Sequence, residues 1–290
     1  MSQLDTTQGF VLTLICQERR GIVLAVSEFL MSEGCSIQES QQFVDRQGEL
    51  FFMRVQFRTE TEAKTIEELC TSFGRIAESL SIASWRLVDA SVKPKILIMV
   101  SKYGHCLNDL LFRQSDGRLG AEVAAVVSNH PDLAQLADSY GIPFHHIPVT
   151  PDTKAAAERQ LLELVDELDV DLVVLARYMQ ILSADLCKEL EGRAINIHHS
   201  MLPSFKGARP YHQAYARGVK FTGATAHYVT QDLDEGPIIE QEVARVDHSM
   251  TAEEVTALGR DTECAALARA VRWHCDNRVL LHGRRTVVFS

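Results

Sequence analysis

An amide and an imidazole two residues apart, Asn196 and His198, are followed by a carboxylate, Asp234, inside the stretch Asp232-Leu233-Asp234-Glu235-Gly236-Pro237. In an extended strand, residues two apart point to the same face, so Asn196 and His198 stand side by side. The residues before them, Arg193-Ala194-Ile195, read as a short buried strand, and the turn-rich stretch 200–207 reads as a loop. The pair therefore sits at the carboxyl end of a strand, where open α/β sheets place their ligands. An amide N–H can hold an oxygen that is becoming negative, and an imidazole can move a proton near neutral pH. A carboxylate can raise the imidazole's basicity or position a water. Together these are the parts for chemistry at a carbonyl. Taken singly, each has a plainer reading: a strand-end Asn or His is most often a cap or a satisfied core group, and Asp, Gly and Pro favour turns.

The elements that must position these residues fall into two groups. The first opens with a strand at 10–16, a turn at Arg19-Arg20-Gly21, and a helix whose Ile22, Val23, Val26, Phe29 and Leu30 follow helical spacing, with Gly34 placed to end it. Strands at 37–44 and 50–57 flank the hairpin signal Asp45-Arg46-Gln47-Gly48. A helix at 66–79 and a strand at 84–88 complete a βαββαβ order, a ferredoxin-like arrangement. After a short linker at 89–95, near-continuous apolar strands at 96–100, 124–128, 144–147, 172–176 and 194–197 alternate with helices from 107, near 133 and at 153–168. This rhythm predicts a Rossmann-like, mostly parallel sheet covered on both faces. Strands at 224–229 and 238–246 flank the Asp234 loop, and 251–275 reads as a long amphipathic helix with Val255, Leu258, Leu267 and Val271 inward. The fold class is α/β, with domains at 1–88 and 96–290.

Composition sets limits on function. The 290 residues carry a net charge of −10, which argues against a general nucleic-acid binder but leaves room for a pocket that takes a small anion. Seven scattered cysteines without a Cys-x-x-Cys pair read as reduced cytosolic thiols, and no metal site is expected. His145-His146 lacks a third ligand at useful spacing, and His105, His130 and His212 read as structural or surface residues. The N-terminal Met1-Ser2-Gln3-Leu4-Asp5 shows no signal-peptide pattern, and apolar runs such as 96–100 are too short to span a bilayer. A cytoplasmic location without membrane association is the expectation.

Two resemblances sharpen this reading. Residues 7–88, by topology and by Glu18-Arg19-Arg20-Gly21-Ile22-Val23, resemble the ACT family of small regulatory domains. Its members often pair through their sheets and bind amino acids at the interface. The resemblance implies a homo-oligomer and an amino-acid effector at the turn Glu18 to Gly21; a dimerisation module without effector is the other reading. From about residue 94 onward, Asn196-Ile197-His198, Leu202-Pro203-Ser204-Phe205-Lys206-Gly207, Gly223-Ala224-Thr225-Ala226-His227 and the Asp234 stretch resemble the folate-dependent formyltransferase family. His198-His199-Ser200 and the ending from Gly259 to Phe289 are similar to the branch in which water replaces an amine as formyl acceptor.

That resemblance implies hydrolysis of 10-formyltetrahydrofolate to formate and tetrahydrofolate, with the folate as substrate and no cofactor. Asn196 would donate to the formyl oxygen, His198 would transfer protons, Asp234 would tune His198 and orient water, and His227 would stand near the aspartate. Tyr178, Met179, Gln180, Ile181 and Leu182 match the segment that holds the pterin ring, with Val229 and Thr230 closing the other side. Glycinamide ribonucleotide transformylases carry a Gly-rich phosphate loop after the first strand of this domain. Here the matching Ser101, Lys102, Tyr103 and Gly104 retain one glycine, so a backbone cradle is lost and larger side chains enter. Two other functions share these features: formyl transfer to an amine, and an amino-acid sensor without turnover. A role in supplying formate for purine synthesis and balancing one-carbon folates follows from the hydrolytic reading.

Overall fold

A computed structural model of the chain describes residues 9–59, 64–82, 84–204 and 210–290. Phe205, Lys206 and Gly207 of the loop motif lie outside the described residues. The chain divides into two compact units. One holds the described residues up to Lys93 together with Asp276–Leu280 and Val287–Ser290, and the other holds Pro94–Cys275 with Leu281–Thr286. The sequence reading gave 96–290 to one domain and did not divide this tail.

The first unit is built from β1 (Gly9–Gln17), α1 (Ile22–Ser32), β2 (Cys35–Asp45), β3 (Leu50–Thr59), α2 (Ile66–Ser79) and β4 (Ser84–Asp89). Its antiparallel sheet runs β2-β3-β1-β4, the ferredoxin-like arrangement. Alternate β1 residues Phe10, Leu12, Leu14 and Cys16 share a core with Val26 and Phe29 of α1 and with Leu69 and Phe73 of α2. Thr65 caps α2 in a reciprocal box with Glu68. The β2–β3 turn is pinned by Asp45, whose Oδ1 accepts from the Gln47 N–H at 3.1 Å, and the left-handed residue is Glu49 (φ 51°) rather than Gly48. A second core, Phe52 with Leu280 and Phe289, brings the chain's last residues into this unit. Beside it the fully buried Arg54 donates to Glu39 at 2.7 Å and to the Asp276 carbonyl, while Arg278 reaches the same Glu39 at 3.0 Å.

The second unit contains β5 (Lys95–Val100), α3 (His105–Ser115), β6 (Glu122–Ser128), α4 (Ala134–Ser139), β7 (Phe144–His146), α5 (Lys154–Glu167), β8 (Leu172–Leu175), α6 (Ala184–Glu189), β9 (Ala194–His198), α7 (Pro210–Ala216), β10 (Phe221–Tyr228), β11 (Ile238–Arg245) and α8 (Ala252–Cys275). A two-stranded hairpin, β12 (Val279–His282) and β13 (Arg285–Val288), ends the chain. The large sheet runs β11-β10-β9-β8-β5-β6-β7. Its five strands from β9 to β7 are parallel, and β10 runs antiparallel to both of its neighbours, β9 and β11. The chain proceeds from β5 outward to β7, then returns to lay β8 on the other side of β5. That reversal makes a topological switch point, where the loops after β5 and β8 part and leave a crevice. Helix α8 buries Val255, Leu267 and Val271 as its spacing predicts; Leu258 is only half-buried, and the inward stripe instead includes Gly259 and a charged residue, Glu263.

Candidate active site

A cavity of about 510 Å³ opens at the carboxyl ends of β5, β8 and β9. Register explains how its reactive groups meet. Because β10 runs antiparallel to β9 with His227 opposite Asn196, the two side chains share a face across the strands. Asn196 Nδ2 lies 3.2 Å from His227 Nε2, and His227 Nδ1 lies 2.9 Å from the Tyr228 carbonyl oxygen. A carbonyl can only accept, so Nδ1 carries the proton and Nε2 accepts from the Asn196 amide. His227 is buried, which holds its pKa below the usual imidazole value despite the Tyr228 carbonyl and Asp234, and keeps this tautomer neutral. One N–H of Asn196 is thereby fixed, and its second is available to the cavity.

His198, buried at the end of β9, places Nδ1 3.1 Å from Asp234 Oδ1. Its Nε2 is buried and has no hydrogen-bond partner among the described residues. With Nδ1–H donating to a carboxylate, Nε2 keeps a lone pair that no described residue engages. Asp234 also lies 3.8 Å from His227 Nε2. Burial raises the Asp234 pKa, but the His198 hydrogen bond and the neighbouring imidazoles outweigh it and leave the carboxyl below its ordinary range. Asp234 has left-handed backbone (φ 57°), a conformation that a non-glycine residue keeps only when its surroundings impose it. The surroundings are visible: the Tyr228 N–H donates to the Pro237 carbonyl at 2.9 Å, closing the loop. Gly236 passes so near β10 that a Cβ there would lie 1.7 Å from the Tyr228 oxygen.

The segment after β8 forms the apolar wall. Ser101, buried at the end of β5, accepts from the Met179 N–H at 3.0 Å while its hydroxyl donates to Asn129 Oδ1 at 2.7 Å. This anchors the turn that carries Arg177 (φ 68°) and Tyr178 to Leu182, all of which line the cavity. Met179 and Ile181 are 51% and 62% exposed, so they belong to the cavity mouth and not to the core, and Leu233 opposite them is 59% exposed. Gln180, Val229 and Thr230 complete this wall. Burial and the nearby Glu158 push the Tyr178 hydroxyl up to about 12.

On the other wall only Tyr103 of the four β5-loop residues lines the cavity. Ser101 serves as the anchor just described, Lys102 is exposed outside the lining, and Gly104 is the N-cap of α3. Beyond Tyr103, what fills this side was not read from sequence. Glu263 of α8, 1% exposed, accepts from Tyr211 at 2.7 Å, from Arg177 Nη1 at 3.3 Å, and pairs with His105 Nε2 at 2.7 Å. Burial raises its pKa, but His105, Arg177 and Tyr211 overcome that and leave it below the ordinary value. His105 and His212, expected as structural or surface residues, both line the cavity. A usable signal was present: a glutamate on the apolar stripe of a long helix, four residues after a glycine. Among the described residues His105, Cys106 and Glu263 bring three potential ligand atoms within 4.8 Å. The Glu263 carboxylate is already neutralised by Arg177 and shared with Tyr211, so the cluster is wired as a hydrogen-bonded network and makes a poor cation site.

Residues 94–271 match the family described as formyl transferase. The chain is 54% identical to a formyltetrahydrofolate deformylase of Corynebacterium sp. (strain P-1), over 96% of this chain and 97% of that protein. It superposes with a TM-score of 0.95 on the crystal structure of a formyltetrahydrofolate deformylase from Pseudomonas syringae pv. tomato, at 45% identity and covering 99% and 96% of the two chains. Glycinamide ribonucleotide transformylase 1 from Symbiobacterium toebii is similar at 30% identity and a TM-score of 0.64, over 68% of this chain and 95% of its own.

Proposed function

The chain belongs to the formyl transferase family, and from that membership and the near-full-length likeness to formyltetrahydrofolate deformylases we infer that it hydrolyses 10-formyltetrahydrofolate to formate and tetrahydrofolate. The observation that carries the chemistry is His198: Nδ1 tied to Asp234, Nε2 buried without a partner among the described residues, and Asn196 alongside. The pterin ring packs against Tyr178–Leu182 with Val229 and Thr230 opposite, a wall of apolar side chains and directed backbone groups suited to a heteroaromatic ligand. The free N–H of Asn196 meets the formyl oxygen. His198 Nε2 takes a proton as a water oxygen bonds to the formyl carbon, and Asp234 stabilises the imidazolium. The tetrahedral intermediate then collapses: the bond from carbon to folate N10 breaks, the electron pair goes to N10, and His198 returns the proton there. Formic acid loses its own proton to water and leaves as formate. Water, an oxyanion donor and a base suffice for this reaction, so no redox or metal group is invoked.

Formyl transfer to an amine would use the same centre. Against it stands the other wall, where Tyr103 and the His105–Glu263–Arg177 network occupy the side that an acceptor would approach. The first unit we read as an ACT-like module that mediates homo-oligomerisation and binds an amino-acid effector at the Glu18–Gly21 turn; its βαββαβ order supports this reading. Sedimentation velocity and calorimetry with the common amino acids test the two parts separately, and a monomer or an absence of heat removes the corresponding one. In the cell we assign the enzyme to the cytoplasm, in keeping with seven cysteines that form no disulfide among the described residues, with formate for purine synthesis and rebalanced folates as its output.

The deciding experiment is turnover of 10-formyltetrahydrofolate in amine-free buffer containing a chelator, with formate and tetrahydrofolate both quantified. Catalytic release of both is expected. Asp234→Asn and His198→Ala should each lose most of kcat while still binding folate, and a wild-type rate in either removes the mechanism.

A further inference from the structure

The hydrolytic mechanism uses Asn196, His198, Asp234 and the apolar wall, and leaves the cationic wall unexplained. Three observations concern that wall. Arg177 is 9% exposed and lines the cavity, yet among the described residues only its Nη1 reaches a carboxylate, at 3.3 Å, and its buried Nε has no hydrogen-bond partner. Arg260, exposed on α8 three residues before Glu263, also lines the cavity and has no carboxylate partner among the described residues. The Tyr103 ring gathers both guanidinium groups, with its centroid 5.2 Å from Arg177 Cζ and 5.9 Å from Arg260 Cζ.

Charge on this wall is therefore unbalanced. Two arginines line it beside one carboxylate, Glu263, which Arg177 contacts and whose oxygens are already engaged by Tyr211 and His105. His199, between this wall and His198, is held neutral by burial and by the charges of Arg177 and His198, its pKa brought down to about 4. His212 lines the cavity and adds a titratable group, and His105 is occupied with Glu263. A guanidinium with an unused N–H fork is suited to a planar carboxylate, which it grips with two parallel bonds. Hydrolysis generates one beside Asn196 and His198, where the Asp234 carboxylate repels it.

We propose that Arg177 and Arg260, gathered by the Tyr103 ring, form a subsite for a small carboxylate and receive formate as it leaves the reaction centre. This rests on the hydrolytic reading for the identity of the carboxylate. The apolar wall then keeps tetrahydrofolate while the cationic wall takes the second product, so the two products separate toward opposite sides of one cavity. The subsite also occupies the side from which an amine would approach, and water, being small, still reaches His198 past the Tyr103 ring.

The test follows ¹³C-formate by NMR line broadening with the full chain in the presence of tetrahydrofolate, at constant ionic strength. Saturable broadening is expected, displaced by unlabelled formate and not by chloride at equal concentration. Arg260→Gln should raise the formate concentration needed for half-saturation about tenfold, while Lys102→Gln, in the same region but outside the lining, should behave as wild type. Absence of saturable broadening, an unchanged Arg260→Gln, or an equal loss in Lys102→Gln overturns the subsite. Turnover measured on the same sample separates the two claims. A preparation that hydrolyses substrate but does not bind formate removes only the subsite; one that binds formate but hydrolyses nothing removes the hydrolytic reading and leaves a carboxylate site.

Discussion

Asn196 and His227 act as one unit, because the imidazole Nε2 that accepts from the amide fixes which N–H is left for the formyl oxygen. Loss of an oxyanion donor typically costs ~3 kcal/mol of transition-state stabilisation, so Asn196→Ala should lower kcat by about two orders of magnitude. His227→Leu should lower kcat by a smaller factor, about tenfold, through misorientation of the amide. The double variant should be no slower than Asn196→Ala alone; additive losses in steady-state kinetics would show that His227 acts independently. His199 supplies a pH dependence whose sign is fixed. Its folded pKa, about 4, lies below the ordinary 6.5, so at pH 7 the group is neutral folded or unfolded. As pH falls below 6.5 the unfolded chain takes up a proton that the folded chain refuses until about 4, and stability declines across that window by up to about 3 kcal/mol. Urea midpoints at a series of pH values should show this decline in the wild type and a shallower one in His199→Gln.

At the scale of elements, the site depends on β10, which runs antiparallel to the parallel strands beside it, and on its return into β11. Strand β9 presents Asn196 and His198, β10 presents His227, and the β10–β11 loop folds Asp234 back over both. Gly236 permits that return. A Cβ at this position would meet the Tyr228 carbonyl at 1.7 Å, a backbone atom that cannot step aside. Gly236→Ala should therefore displace the loop, lower kcat at least tenfold with little change in folate affinity, and lower Tm; an alanine variant with wild-type kcat would show that the loop finds another path. The sequence made the strands of both units legible, since β1, β3, β5, β6 and β8 are buried apolar runs bounded by turn residues. Helices α6 and α7, of six and seven residues, span fewer than two turns and show no periodicity to read. Nor did the terminal hairpin, whose strands are four residues each and mostly half-buried, carry an alternation strong enough to stand out. The mouth residues Met179 and Ile181 had two readings in the sequence, core or pocket, because apolar character alone does not distinguish them; their exposure does.

At the scale of the whole molecule, what stayed illegible were the contacts between distant parts of the chain. Glu263 meets His105 across 158 residues of sequence, and Arg278 meets Glu39 across 239. No local pattern encodes such separations, whereas the ordered motifs around Asn196 and Asp234 fall within one stretch of chain. The Arg54–Glu39–Arg278 cluster makes a prediction at this scale. Arg54 is 2% exposed, and neutralising Glu39, which pairs with both Arg54 and Arg278, leaves two guanidinium groups near each other with Asp276, 3.9 Å from Arg278, as the neighbouring carboxylate. Glu39→Gln should destabilise the first unit by about 2–3 kcal/mol, read as an earlier urea transition, and equal stability would show that the Asp276 carbonyl and Gln56 suffice. The last residues also order events in time. Leu280 and Phe289 pack on Phe52, so the unit that holds β1 to β4 lacks part of its core until residues 280–289 have been synthesised. Residues 94–275 emerge earlier, and their seven-stranded sheet can form first. A fragment ending at Lys93 would leave Phe52 uncovered and Arg54 without its carbonyl acceptor, so effector binding is better sought in the intact polypeptide than in that excised piece.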